Sequence, residues 1–92
     1  MKTVKLFATL RDLAGMKEIH VPFEDGQTVR EFLGTVKRTH PELHTQILDE
    51  QGELTGLVHI LVQGRNIQWL KGLETVIRAH DTMIFMPPTA GG

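Results

Sequence analysis

The sequence predicts an α+β domain in which a mixed sheet lies over one main helix. Three observations predict it: two alternating segments close together near the start, one amphipathic stripe with its own start signal in the middle, and two later apolar segments of strand length.

Residues 2–8 alternate, with Val4 and Leu6 on one face and Thr3, Lys5 and Phe7 on the other. Arg11 to Gly15 reads as a short connection. Residues 17–23 alternate again, placing Ile19, Val21 and Phe23 together and His20 and Pro22 opposite. Pro22 has no N–H to give to a ladder, so this strand belongs at a sheet edge. Glu24-Asp25-Gly26 is a turn. Thr28 and Glu31 then fit a capping box, in which hydroxyl and carboxylate satisfy the first free amides of a helix. Val29, Phe32, Leu33 and Val36 follow as one apolar stripe. The helix is expected to stop near Thr39 or His40, because Pro41 disfavours helical geometry in the residue before it.

Pro41 to Leu48 has room for another short helical turn, and Asp49 to Glu53 is a polar loop. Leu57 to Gln63 is apolar on both faces: Val58, Ile60 and Val62 share one, Leu57, His59 and Leu61 the other. Gly64 to Ile67 reads as a turn. Gln68 to Val76 carries no clear pattern; Trp69, like Phe32, is expected in the core. Thr82 to Met86 is a last strand, followed by Pro87-Pro88. If the first and last strands lie side by side they run parallel, and the terminus leaves from a central strand. The helix stripe covers one sheet face. The other would carry Phe7, Leu61 and either Phe85 or Ile84, and an apolar patch beside an extended tail marks a protein interaction surface.

Composition narrows the function. Ninety-two residues, 40% hydrophobic and 23% charged, suit a single modest core. A net charge of -1 gives no electrostatic reason to expect nucleic acid or an anionic membrane. No apolar run is long enough to span a bilayer, and the start lacks a signal-peptide pattern, so a cytoplasmic location is expected. The chain has no cysteine, which removes disulfides, thiolate catalysis and cysteine metal sites together. His40 and His44 are four apart, but Pro41 lies between them and nothing completes a metal site; they are read as surface histidines.

The ending Ala90-Gly91-Gly92 is the most specific feature. Glycine has no Cβ, so a Gly-Gly terminus can enter a channel too narrow for other residues. Pro87-Pro88 keeps the chain before it extended, and the six residues 87–92 can reach about 20 Å from a folded body.

Three stretches carry a family likeness: Leu6-Phe7-Ala8-Thr9-Leu10-Arg11 with Gly15, Val62 to Ile67, and Ile84 to Gly92. The chain resembles the β-grasp, ubiquitin-like sulfur carriers of the MoaD/ThiS kind, above all the small subunit of molybdopterin synthase. It departs from them where Ala79-His80-Asp81 replaces the common Asp-Gly-Asp turn. Its loop from Asp49 to Gly56 is also longer than in the shortest carriers, which points away from the thiamine carrier. Longer relatives feed cysteine synthesis, tRNA thiolation or protein conjugation.

The resemblance implies a β-grasp domain over residues 1–86 and a tail over 87–92. It implies a carrier rather than an enzyme, whose Gly92 carboxylate is adenylated and then converted to a thiocarboxylate. The activating partner would be an adenylyltransferase of the MoaB, MoeB or ThiF type, similar to ubiquitin-activating enzymes. The ATP and Mg²⁺ belong to that partner, and this chain binds no cofactor or metal. A second partner would be the large, MoaE-like subunit of molybdopterin synthase. Pro87, Pro88, Ala90 and Gly91 form the arm that presents Gly92. Phe7 and Phe85 are the expected docking anchors, with Leu61, Arg11 and Arg65 on the same interface and His59 on the partner face. The alternative outcome, attack on the Gly92 acyl group by a lysine, would make the chain a protein modifier. Lys2, Lys5, Lys17, Lys37 and Lys71 are then candidate acceptors, and an inert β-grasp interaction module is a third possibility.

Overall fold

Strand pairing in the computed structural model, which describes residues 1–88, follows from two hairpins and one parallel join. Strands β1 (Lys2–Leu6) and β2 (Glu18–Val21) pair antiparallel, and β3 (His59–Val62) pairs antiparallel with the short β4 (Arg65–Asn66). The last strand, β5 (Met83–Met86), enters between them, parallel to β1 and antiparallel to β3. The five-stranded order is β2-β1-β5-β3-β4, so the strand that leads to the terminus is central and β2, with Pro22 after it, is an edge.

One face of this sheet is covered by helix α2 (Val29–Thr39), whose Val29, Phe32, Leu33 and Val36 are buried against Val4, Leu6, Ile19 and Val21. Its start is the predicted capping box: Glu31 N–H donates to Thr28 Oγ1 at 3.1 Å, and Thr28 N–H donates to Glu31 Oε1 at 2.9 Å. It ends at His40, and Pro41 opens the next helix, α3 (Pro41–Ile47), where its missing N–H costs nothing. Leu43 and Ile47 tie α3 to the core. Phe23 meets Phe32 edge to face, with ring centroids 6.0 Å apart.

The structure corrects the reading of residues 11–15. They belong to a further helix, α1 (Thr9–Ala14), closed by Gly15 at φ 74° with its N–H on Arg11 O. Leu10, Leu13 and Ala14 stand at i, i+3 and i+4, but only Leu10 is buried and six residues are too few for that period to separate a helix from a connection. The β3–β4 turn also lies earlier than expected. Gln63 and Gly64 have φ of 53° and 76°, the pair of left-handed residues a two-residue hairpin turn needs, and Arg65 and Asn66 are already strand.

Trp69 is a third correction: it is 83% exposed. A 3-10 turn over Ile67–Trp69 buries Ile67 and sends Trp69 outward, while Leu73 and Ile77 fill the space below.

Burial and the nearby Lys37 charge both hold the His44 imidazole below its usual pKa of 6.5, burial being the larger cause. Below pH 6.5 the unfolded chain takes up a proton that the folded chain resists, so stability falls as pH drops through that window. Replacing His44→Gln is expected to flatten the fall in thermal midpoint between pH 6.5 and the lower folded value, measured by circular dichroism.

Candidate functional site: the tail-bearing strand and its outer face

β5 alternates. Met83 and Phe85 point into the core, and Ile84 and Met86 onto the face that no helix covers. Register then fixes the neighbours. Lys5, Ile84 and Leu61 form one row across β1, β5 and β3, and His59 stands opposite Met86. Phe7 continues β1 beside Met86, its N–H donating to Phe85 O at 3.2 Å. The outer face therefore gathers Ile84, Met86, Leu61, His59 and Phe7 around the end of β5, where Pro87 is half-buried and Pro88 exposed.

Two of the expected docking residues fall elsewhere. Phe85 is completely buried, opposite Leu6 and Ile60, because parity along β5 turns it towards α2. Ile84 takes the outward place. Arg65 pairs with the buried Val62, which puts it on the helix side of the sheet edge, away from Phe7 and Leu61. β5 is apolar on both faces, so sequence alternation leaves its orientation open, and residues 64–67 read as a turn, which assigns Arg65 no face.

Arg11 is held at this site. Its Nε–H donates to Leu6 O at 2.8 Å, and the guanidinium carbon lies 5.3 Å from the centre of the Phe7 ring. The turn between them is strained: Ala8 has φ 54° and ψ -130°, and Leu10 N–H closes on Phe7 O at 3.2 Å. That is the first central position of a type II′ turn, which glycine adopts without penalty. Ala8→Gly is expected to raise stability by about 1 kcal/mol in denaturant unfolding. An unchanged midpoint would show that the turn carries no such strain.

At the opposite end of β5, Lys2 is 4% exposed. Its ammonium donates to the carbonyls of Arg78, Ala79 and Asp81 at 2.8, 3.0 and 2.7 Å, and lies 4.6 Å from the centre of the Phe23 ring. These carbonyls belong to the turn that feeds β5. Asp81 Oδ2 accepts from Arg78 N–H at 2.7 Å, and Asp25 Oδ1 from Ala79 N–H at 2.8 Å. Ala79-His80-Asp81 thus makes the turn without a glycine because lysine and carboxylates bind its backbone. Burial pushes the Lys2 ammonium pKa down from 10.5, while Asp81 and Asp25 pull it back up. Lys2 is therefore not the surface amine expected of a conjugation acceptor. Residue 2 shares the parity of Val4 and Leu6 along β1, and the burial of its charge depends on carbonyls far along the chain.

Thr89, Ala90, Gly91 and Gly92, which hold the expected reactive end, lie outside the described residues. His40 and His44 sit at the start and near the end of α3. Among the described residues no group of three or more His, Asp or Glu converges as a metal site, and no helix is long and apolar enough to cross a membrane. What the site offers is a surface and a strand end rather than a set of reacting groups.

Comparison with known proteins agrees with that arrangement. The ThiS family profile matches residues 4–92. Small archaeal modifier protein 3 of Haloferax volcanii is 32% identical over 97% of this chain and 96% of its own. A candidate sulfur carrier protein of Archaeoglobus fulgidus is 34% identical over 71% of this chain and 74% of its own. Among solved structures, a candidate molybdopterin converting factor subunit 1 from Pyrococcus furiosus superposes with a TM-score of 0.71 at 27% identity, covering 94% of each chain. Such proteins are small carriers and modifiers rather than catalysts. With its mixed β-grasp sheet and central last strand, the chain belongs to the ThiS family of ubiquitin-like carriers.

Proposed function

We propose that this chain is a sulfur carrier activated at the carboxylate of Gly92. The carboxylate attacks the α-phosphate of ATP on an activating partner and expels pyrophosphate. The resulting acyl-adenylate supplies the leaving group that a carboxylate lacks. Sulfide or a persulfide sulfur then displaces AMP and, once any remaining S–S bond is reduced by a thiol, leaves a terminal thiocarboxylate. The observation that carries the reading is the placement of β5: a central strand runs out beside an apolar face and continues into Pro-Pro-Thr-Ala-Gly-Gly. The extension of the family match to Gly92 supports it.

The finer assignment is the small subunit of molybdopterin synthase, donating sulfur to a pterin precursor while the tail lies in a large subunit. The likeness to the Pyrococcus furiosus protein supports it. The activating adenylyltransferase and that large subunit would dock in turn on Phe7, Leu61, Ile84 and Met86, with Arg11 meeting partner carboxylates. A second reading, a protein modifier joined to lysines through Gly92, is favoured by the Haloferax volcanii relative, which is named a modifier.

Intact-mass measurement on the protein recovered from its native host tests these readings and also fixes its terminus. Gain of one sulfur for one oxygen on Gly92 is the expected result. Substrate lysines carrying this chain through Gly92 would give the modifier reading instead, and a protein never altered at Gly92 would overturn both.

A further inference from the structure

Phe7 is 36% exposed just beyond the end of β1, and its backbone is fixed on both sides. Its N–H donates to Phe85 O at 3.2 Å, two residues before Pro87, and its carbonyl accepts from Leu10 N–H at 3.2 Å. Ala8 follows at φ 54° and ψ -130°, a conformation that persists only where the surrounding contacts enforce it. The backbone therefore ties Phe7 to the root of the tail, but a backbone bond leaves the ring free to choose among rotamers. A partly exposed ring that must first be ordered binds a partner more weakly than one already held in place.

Arg11 supplies the missing restraint. It is the third residue of α1, and its Nε–H donates to Leu6 O at 2.8 Å, which anchors the guanidinium to the residue just before Phe7. The guanidinium carbon lies 5.3 Å from the centre of the Phe7 ring. Among the described residues the group meets no carboxylate, so no ion pair draws it off the ring. We infer that Arg11 is a positioning residue: it braces the Phe7 ring in one rotamer beside the root of the tail, and so acts on docking through Phe7 as well as through its charge. The planar fork suits both tasks, since Nε–H holds the carbonyl while the delocalised face lies against the ring and the Nη groups stay available to a partner. A lysine ammonium is a point donor that can serve the carbonyl or the ring, but not both at once.

The role rests on the docking function proposed above, but its first measurement needs no partner. NMR couplings about the Phe7 Cα–Cβ bond are expected to show one rotamer in the full chain and an average over several in Arg11→Ala and Arg11→Lys. The second measurement is calorimetry with the native host's activating adenylyltransferase and no ATP. Arg11→Ala is expected to raise the dissociation constant about tenfold, about fivefold from the lost brace and about twofold from the lost charge. In a Phe7→Ala background the same change is expected to cost only about twofold, because no ring remains to be held. In pyrophosphate release the loss falls on KM rather than kcat, since the carboxylate proposed to react is untouched. Both side chains are exposed, so the variants keep the fold, and thermal unfolding checks that they do. A single Phe7 rotamer in Arg11→Ala, or equal losses in the two backgrounds, would overturn the positioning role. Averaged rotamers in Arg11→Ala with no binding of the wild-type chain would instead leave the brace standing and count against the carrier function alone.

Discussion

Removing Gly92, or adding one residue after it, is expected to abolish adenylation by the activating partner and leave the unfolding midpoint unchanged. The separation follows from where energy lies. Among the described residues, the core ends on this strand with Phe85, upstream of Pro87. Activation, in contrast, requires one carboxyl oxygen at in-line distance from a phosphorus atom. A displacement of one residue moves it by about 3.5 Å, far outside a reactive geometry. Pyrophosphate release measured with the native-host partner checks the first half, and thermal unfolding by circular dichroism the second. Retained pyrophosphate release by the extended chain would refute the assignment of Gly92 as the reacting group. Gly92→Ala is the graded case: it keeps the length and adds one Cβ, and its loss of rate reports how closely the partner's channel fits glycine.

Lys2→Met is expected to cost about 3 kcal/mol, a large share of the total for a domain of this size. Methionine fills much of the same volume, so the loss isolates the ammonium. Three carbonyls lose a charged donor, and Asp81 and Asp25 lose their cation. Relief from burying the charge outweighs the lost attraction of the two carboxylates, so the cost is that of the three carbonyl hydrogen bonds and stays below their sum. Urea unfolding at neutral pH measures it, and a loss under 0.5 kcal/mol would show that water replaces the ammonium. The pH dependence has a definite sign. The folded Lys2 releases its proton below 10.5, so in the window between the folded value and 10.5 the unfolded chain binds more protons and stability rises with pH. Lys2→Met is expected to lack that rise. Because the turn at Arg78–Asp81 feeds β5, loosening it also frees the start of the strand that carries the tail.

The regular elements were legible because each carries its own local signal. The capping box at Thr28 and Glu31 fixed the start of α2, Pro41 fixed its end, and Pro22 placed β2 at an edge. α1 was not legible, since its period of Leu10, Leu13 and Ala14 spans barely one turn and no side-chain cap marks its start. Trp69 was misread as core because size and hydrophobicity argue for burial, whereas the 3-10 turn before it decides direction. Arg65 was misplaced because residues 64–67 read as a turn, which carries no face, and Phe85 because its strand is apolar on both sides. In strands apolar on both sides, alternation says that neighbours oppose one another but not which of them faces the helix.

By itself the sequence determined an α+β domain with one capped helix and a terminus of Pro-Pro-Thr-Ala-Gly-Gly, because periods, caps and prolines act within a few residues. Only the tertiary structure decided which way β5 faces, that Ile84 rather than Phe85 meets the outer surface, and that Lys2 is a buried clamp 76 or more residues from the backbone it binds. Those outcomes depend on register and on charges meeting across the fold, and no local pattern encodes them.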